Sequence, residues 1–76
     1  MVVKIYTTPT CPYCRLAKEF FMKKGVKFTE FDVSEDEKAL KEMVKKSSQM
    51  GVPVIDIDGQ IVVGFDKEKI AELIDK

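Results

Sequence analysis

Cys11 and Cys14 are the only cysteines in the chain, and the stretch Cys11-Pro12-Tyr13-Cys14 holds the side chains best suited to chemistry. Two thiols at this spacing suit a pair that cycles between dithiol and disulfide. A strand-like run precedes them and helical periodicity follows. With a helix starting at Pro12, Cys11 sits at the positive helix end, where unpaired backbone N–H groups stabilise a thiolate. Cys14 then falls in the first turn, in reach of any mixed disulfide formed on Cys11. Pro12 fits that start, because its φ is already helical and the N–H it lacks would have had no partner.

Three plainer readings compete. A structural disulfide here would close a very small loop, worth only ~2 kcal/mol against ~3 kcal/mol for a loop of 15 residues. A structural zinc site needs four ligands, and the chain offers two Cys and no His, so only a dimer would complete the set. Free cysteines are also often simply buried. The Pro-Tyr insert and the helix-start position argue against that. Redox cycling explains the most features.

The elements that must position this pair fit into one domain spanning all 76 residues. A chain of this size buries only about 60% of its unfolded surface, so the core is small. Charges balance at 13 basic and 13 acidic residues. That leaves no electrostatic footprint for nucleic acid and no polybasic cluster for a membrane surface. No apolar run approaches the ~20 residues of a membrane span. The opening Met1–Tyr6 is too short for a signal sequence. These features lead us to expect a cytoplasmic protein, where such a pair is kept reduced and acts by cycling.

Val2 to Tyr6 reads as a buried strand. Pro12 to Lys24 reads as a helix, with Leu16, Ala17, Phe20 and Phe21 as its apolar face and its lysines as a solvated one. Gly25 supplies a left-handed stop. Val26 to Val33 reads as a second strand, parallel to the first through a right-handed crossover. Ser34-Glu35-Asp36-Glu37 has the capping-box pattern, with Ser34 as cap, before a helix burying Ala39, Leu40, Met43 and Val44. Pro53 stands at the entrance to a strand, Val54–Ile57. Asp58-Gly59 predicts a two-residue hairpin turn into Gln60–Val63. Asp66 caps a last helix carrying Ile70, Ala71, Leu73 and Ile74. The order β-α-β-α-β-β-α predicts an α/β fold: a four-stranded mixed sheet of order 2-1-3-4 with three flanking helices. Cys11 then opens at the C-terminal edge of the first strand, where such sheets place their sites.

Over essentially its whole length the chain resembles a glutaredoxin of dithiol Cys-Pro-Tyr-Cys type, with the thioredoxin fold. Thr8-Pro9-Thr10, Gln49 through Pro53, and Gly64-Phe65-Asp66 stand where that family has its motifs. The resemblance implies a thiol–disulfide oxidoreductase with Cys11 as nucleophile and Cys14 as resolving thiol. It implies that Tyr13, Val52, Pro53, Gly64, Phe65 and Asp66 line the substrate or glutathione groove, with Pro53 cis and the Val52 backbone pairing to bound thiol substrate. It implies no metal and no tightly bound cofactor, and a monomer that carries electrons to disulfide-containing proteins.

Departures bear on the reductant. Where glutathione users have a lysine three residues before the first cysteine, this chain has Thr8. Their Thr-Val-Pro is Gly51-Val52-Pro53, and their Gly-Gly is Val63-Gly64. Of their following acidic pair only Asp66 is present. Gly64-Phe65 also resembles glutaredoxin-like redoxins that serve ribonucleotide reductase and are reduced by thioredoxin reductase. Glutathione, or thioredoxin reductase with NADPH, is thus the expected reductant. The alternative from a different class is a binding module, a dimer holding an iron–sulfur cluster through Cys11 of each chain.

Overall fold

The computed structural model describes residues 1–75. Seven elements follow in order: β1 Val3–Thr7, α1 Pro12–Lys23, β2 Thr29–Asp32, α2 Glu37–Ser47, β3 Val54–Ile57, β4 Gln60–Val63 and α3 Lys67–Ile74. The sheet order is β2-β1-β3-β4, as expected. β1 runs parallel to β2 and antiparallel to β3, and β3 runs antiparallel to β4.

Alternation along the two central strands decides which helix covers which face. Val3 and Ile5 of β1 pair with Ile57 and Ile55 of β3. These four pack with Ala17, Phe20 and Phe21 of α1 and Ile70 of α3. The intervening Tyr6 and Val54 pack on the other face with Ala39 and Met43 of α2. Phe21, Ile5 and Met43 are fully buried, and burying side chains of this size stabilises by about 1.5–3 kcal/mol each.

The turns follow their chemistry. Gly25 has φ +68°. Its N–H donates to the Met22 carbonyl at 3.1 Å, and the Val26 N–H donates to the Phe21 carbonyl at 2.9 Å, which closes α1 in a Schellman motif. Asp58 (φ 50°) and Gly59 (φ 90°) form the expected hairpin turn.

Three expectations need correction. The second strand is shorter than Val26–Val33, because the Schellman bond holds Val26 at the end of α1 instead of against β1. Val26 and Phe28 still pack on the α1–α3 core. The cap of α2 is Asp36, whose side chain accepts the Ala39 N–H at 3.0 Å. Ser34 is not the cap: its N–H and hydroxyl both donate to the Asp32 carboxylate. Leu16 is not a core residue; it is 43% exposed.

Candidate functional site

The loop after β1 delivers Cys11 to the N-cap of α1 with extended backbone angles, and Pro12 begins the helix. Its side chain does what a capping oxygen does elsewhere: the sulfur accepts the Cys14 N–H at 3.1 Å. The first turn of α1 has no acidic residue to oppose negative charge there. On its other side the Cys11 sulfur lies 3.8 Å from the Val52 carbonyl, to which a thiol would donate. Both cysteines stand as free thiols, Cys11 half-buried and Cys14 buried.

Their environments differ. Burial pushes the Cys14 thiol up to about 12, helped by its hydrogen bond to Cys11 and by that residue's negative charge. A backbone hydrogen bond at Thr8 and the positive charge of Lys18 work the other way.

The peptide bond between Val52 and Pro53 is cis, as the resemblance implied. Pro53 is buried, and its carbonyl accepts the Gly64 N–H at 2.8 Å, with Gly64 at φ +81°. Cys11, Cys14, Val52, Pro53 and Gly64 therefore form one connected set. The other three residues of the expected groove lie outside this hydrogen-bonded set. Tyr13 is 62% exposed. Phe65 turns its ring to Phe20, edge to face at 6.1 Å. The Asp66 carboxylate caps α3 by accepting the Lys69 N–H at 3.2 Å.

Further residues complete the surroundings, Gln49 among them from the Gln49–Pro53 motif. Gln49 clamps the loop before Pro53: its side chain accepts the Gly51 N–H at 2.6 Å and donates to the Gly51 carbonyl at 3.1 Å. On the Cys14 flank a cavity of about 670 Å³ is bordered by Thr8, Cys11, Cys14, Lys18 and Glu30. One Glu30 oxygen accepts from both Lys18 and the buried Thr7 hydroxyl, each at 2.8 Å. The Lys18 hydrogen bond holds the Glu30 carboxyl below the usual range; burial opposes this and Thr7 assists. Lys18 lies one helical turn after Cys14 on the same face of α1. That spacing was visible in the sequence, but the Glu30 partner was not. Among the described residues no three metal-binding side chains converge.

Comparison with known proteins fits this geometry. The family model described as Glutaredoxin matches residues 3–62. The chain is 49% identical over 75 residues to a protein described as an uncharacterized glutaredoxin-like 8.6 kDa protein in the rubredoxin operon of Clostridium pasteurianum, covering 99% of this chain and 100% of that one. It is 44% identical over 64 residues to glutaredoxin 3 of Escherichia coli, covering 84% of this chain and 77% of that protein. The solved structure of the glutaredoxin-like protein NrdH-redoxin from Escherichia coli, whose description gives it a thioredoxin-like activity profile, superposes with a TM-score of 0.84 at 25% identity, covering 96% of this chain and 95% of that one. With a dithiol at the start of α1, a cis-proline loop facing it and the family match along most of its length, the chain belongs to the glutaredoxin family and is a dithiol–disulfide oxidoreductase of thioredoxin-like fold.

Proposed function

We propose that this protein reduces protein disulfides and glutathione-mixed disulfides by a Cys11/Cys14 dithiol cycle. The observation that carries the reading is the 3.1 Å hydrogen bond from the Cys14 N–H to the Cys11 sulfur, in a helix cap facing the Val52 carbonyl. The Cys11 thiolate attacks one sulfur of the substrate disulfide. A Cys11–substrate bond forms, the substrate S–S bond breaks, and the departing thiolate takes up a proton. Cys14 then loses its proton and attacks the Cys11 sulfur. The mixed disulfide breaks, the second substrate thiol leaves protonated, and the protein holds a Cys11–Cys14 disulfide. Two electrons have passed to the substrate.

In this reading Tyr13, Val52, Pro53, Gly64, Phe65 and Asp66 serve as the groove that receives the substrate or glutathione. Reducing equivalents come from glutathione, or from thioredoxin reductase with NADPH. Similarity to glutaredoxin 3 supports the first, and likeness to NrdH-redoxin, described by a thioredoxin-like activity profile, supports the second. The Gly64-Phe65 resemblance to redoxins that serve ribonucleotide reductase puts that enzyme among the candidate protein substrates. The protein acts as a monomer in the reducing cytoplasm. A donor swap tests this. NADPH is supplied with glutathione and its reductase, or with thioredoxin reductase, while turnover of a protein disulfide is followed. Sustained turnover with either donor is expected; none with either would sink the reading.

A further inference from the structure

Between α1 and α3 runs a groove of about 430 Å³ that the redox cycle does not use. Its floor is apolar: the Phe20 and Phe65 rings meet edge to face, and Ala71 closes the α3 side. Its rim is cationic. Lys23, Lys24 and Lys67 border it against a single acid, Glu19, although the chain as a whole is neutral. The Lys24 and Lys67 ammonium groups lie 5.7 and 5.9 Å from the centroid of the same Phe20 ring. Among the described residues none of these three lysines is in an ion pair; those formed use Lys18 and Lys46. Lys23 and Lys24 are exposed, as expected of a solvated face, and their ammonium groups gather on one side of α1 together with Lys67. Three cations gathered at an apolar floor repel one another, and an anion carrying apolar surface relieves that repulsion.

The groove adjoins the reactive centre through one residue. Leu16, left exposed by the fold, borders both it and the cavity that holds Cys11. Lys23 follows Cys11 by roughly 18 Å of helical rise, a distance an extended chain covers in about five or six residues.

We propose that the α1–α3 groove docks an acidic segment of the substrate protein, one that places an apolar side chain on Phe20 and Phe65 and carboxylates at Lys23, Lys24 and Lys67, within about six residues of the cysteine being reduced. The proposal rests on the thiol–disulfide function above and names the class of protein substrate that site prefers. Charge complementarity selects the occupant. The lysines call for an anion, and the aromatic floor calls for apolar side chains that a phosphate backbone does not supply.

The test uses peptides of about ten residues with a central cysteine in disulfide linkage to thionitrobenzoate. One set carries Phe with Asp and Glu on either side of the cysteine, and a matched set has Lys for Asp and Glu. A small uncharged disulfide is the control for the redox function itself. Expected is an about five- to tenfold higher kcat/KM for the acidic set at low salt, shrinking as salt screens it. Lys23→Glu/Lys24→Glu should abolish or reverse that preference while leaving turnover of the small disulfide within about twofold, since both residues are exposed. Equal rates for the two peptide sets, or a preference untouched by the charge reversal, would overturn the docking site while the redox function stands. Failure of the parent protein to turn over the small disulfide would overturn both.

Discussion

The backbone N–H of Cys14 donates to the Cys11 sulfur at 3.1 Å, so the second cysteine serves the first through its amide while its own thiol is buried. The two functions of Cys14 can therefore be separated by substitution. Cys14→Ser keeps the amide and should still attack substrate disulfides, accumulating a Cys11 adduct with protein substrates that intact-mass measurement detects. Glutathione-mixed disulfides should still turn over, because external glutathione can take the place of the second thiol. Cys11→Ser should lower all disulfide exchange by at least about a thousandfold, as removal of a nucleophile does. An active Cys11→Ser beside an inert Cys14→Ser would reverse the roles.

A second prediction follows from burial of the Cys14 thiol. Burial, helped by the hydrogen bond to Cys11, pushes it up to about 12 from an ordinary value of 9.0. In the mixed disulfide the Cys11 charge is gone but burial, the leading cause, remains, so Cys14 stays protonated at neutral pH and its attack should speed up as pH rises, by up to about tenfold per unit. Rapid-quench release of the second substrate thiol measures this, and a flat profile would show that deprotonation of Cys14 does not limit the step. The same shift acts on stability. The folded value lies above the unfolded one, so the contribution is complete below about pH 9 and is lost as pH rises toward 12. Reduced protein should lose more stability across that window than the Cys14→Ala variant does, by denaturant midpoint.

Element order and sheet order were legible because each rests on local signals. Asp58-Gly59 can hardly be anything but a tight turn, and the β-branched, aromatic run Val2–Tyr6 and the run Val54–Ile57 after Pro53 mark the central strands. The α2 cap was not legible, because Ser34 and Asp36 both offer a capping side chain. The choice falls to Asp36 because Asp32 already engages Ser34 by N–H and hydroxyl. Within the site, the cysteine pair and the cis Val52-Pro53 bond could be anticipated from the motifs, and the Gly64 N–H to Pro53 carbonyl bond could not. Nor could the Lys18–Glu30 and Lys46–Asp56 pairs. Each joins residues on different elements, and only the packed fold selects those partners among 13 basic and 13 acidic residues.

Lys18 supplies the third prediction. Its ammonium, held by Glu30 beside the cavity that Cys14 borders, favours the Cys14 thiolate. Lys18→Met removes that charge with little loss of bulk. Release of the second substrate thiol should slow by about three- to tenfold, since the pair is partly exposed and screened by solvent. Its pH profile should move to higher pH. Formation of the Cys11 adduct, measured in a Cys14→Ser background, should stay unchanged. Equal slowing of both steps would show that Lys18 acts on the fold and not on Cys14.

The last prediction concerns the other face of the sheet, where Lys46 donates to the Asp56 carboxylate at 2.8 Å and to the buried Tyr6 hydroxyl at 3.0 Å. The Lys46 ammonium is held above the usual lysine value by its hydrogen bonds to Asp56 and Tyr6. Burial alone would raise the Asp56 carboxyl, but hydrogen bonds from Lys46 and the Gly59 N–H, with the positive charges of Lys46 and Lys4, outweigh it and hold the group below the usual range. The Asp56 side chain is only 11% exposed. Taking away its cation strands a buried charge, so Lys46→Met should cost about 2–3 kcal/mol at pH 7 by urea denaturation. Asp56→Asn should cost less, about 1 kcal/mol, because the amide oxygen can still accept from Lys46. Since the Asp56 value is depressed on folding, its contribution is present above the ordinary carboxylate value of 3.8 and disappears as pH falls below it. The gap between parent and Asp56→Asn should therefore narrow progressively as pH is lowered below 3.8. Adding Asp56→Asn to Lys46→Met should recover part of the loss, because no charge is then left unpaired. If the double variant were instead as unstable as the two single losses added together, Lys46 and Asp56 would be acting independently and not as a pair.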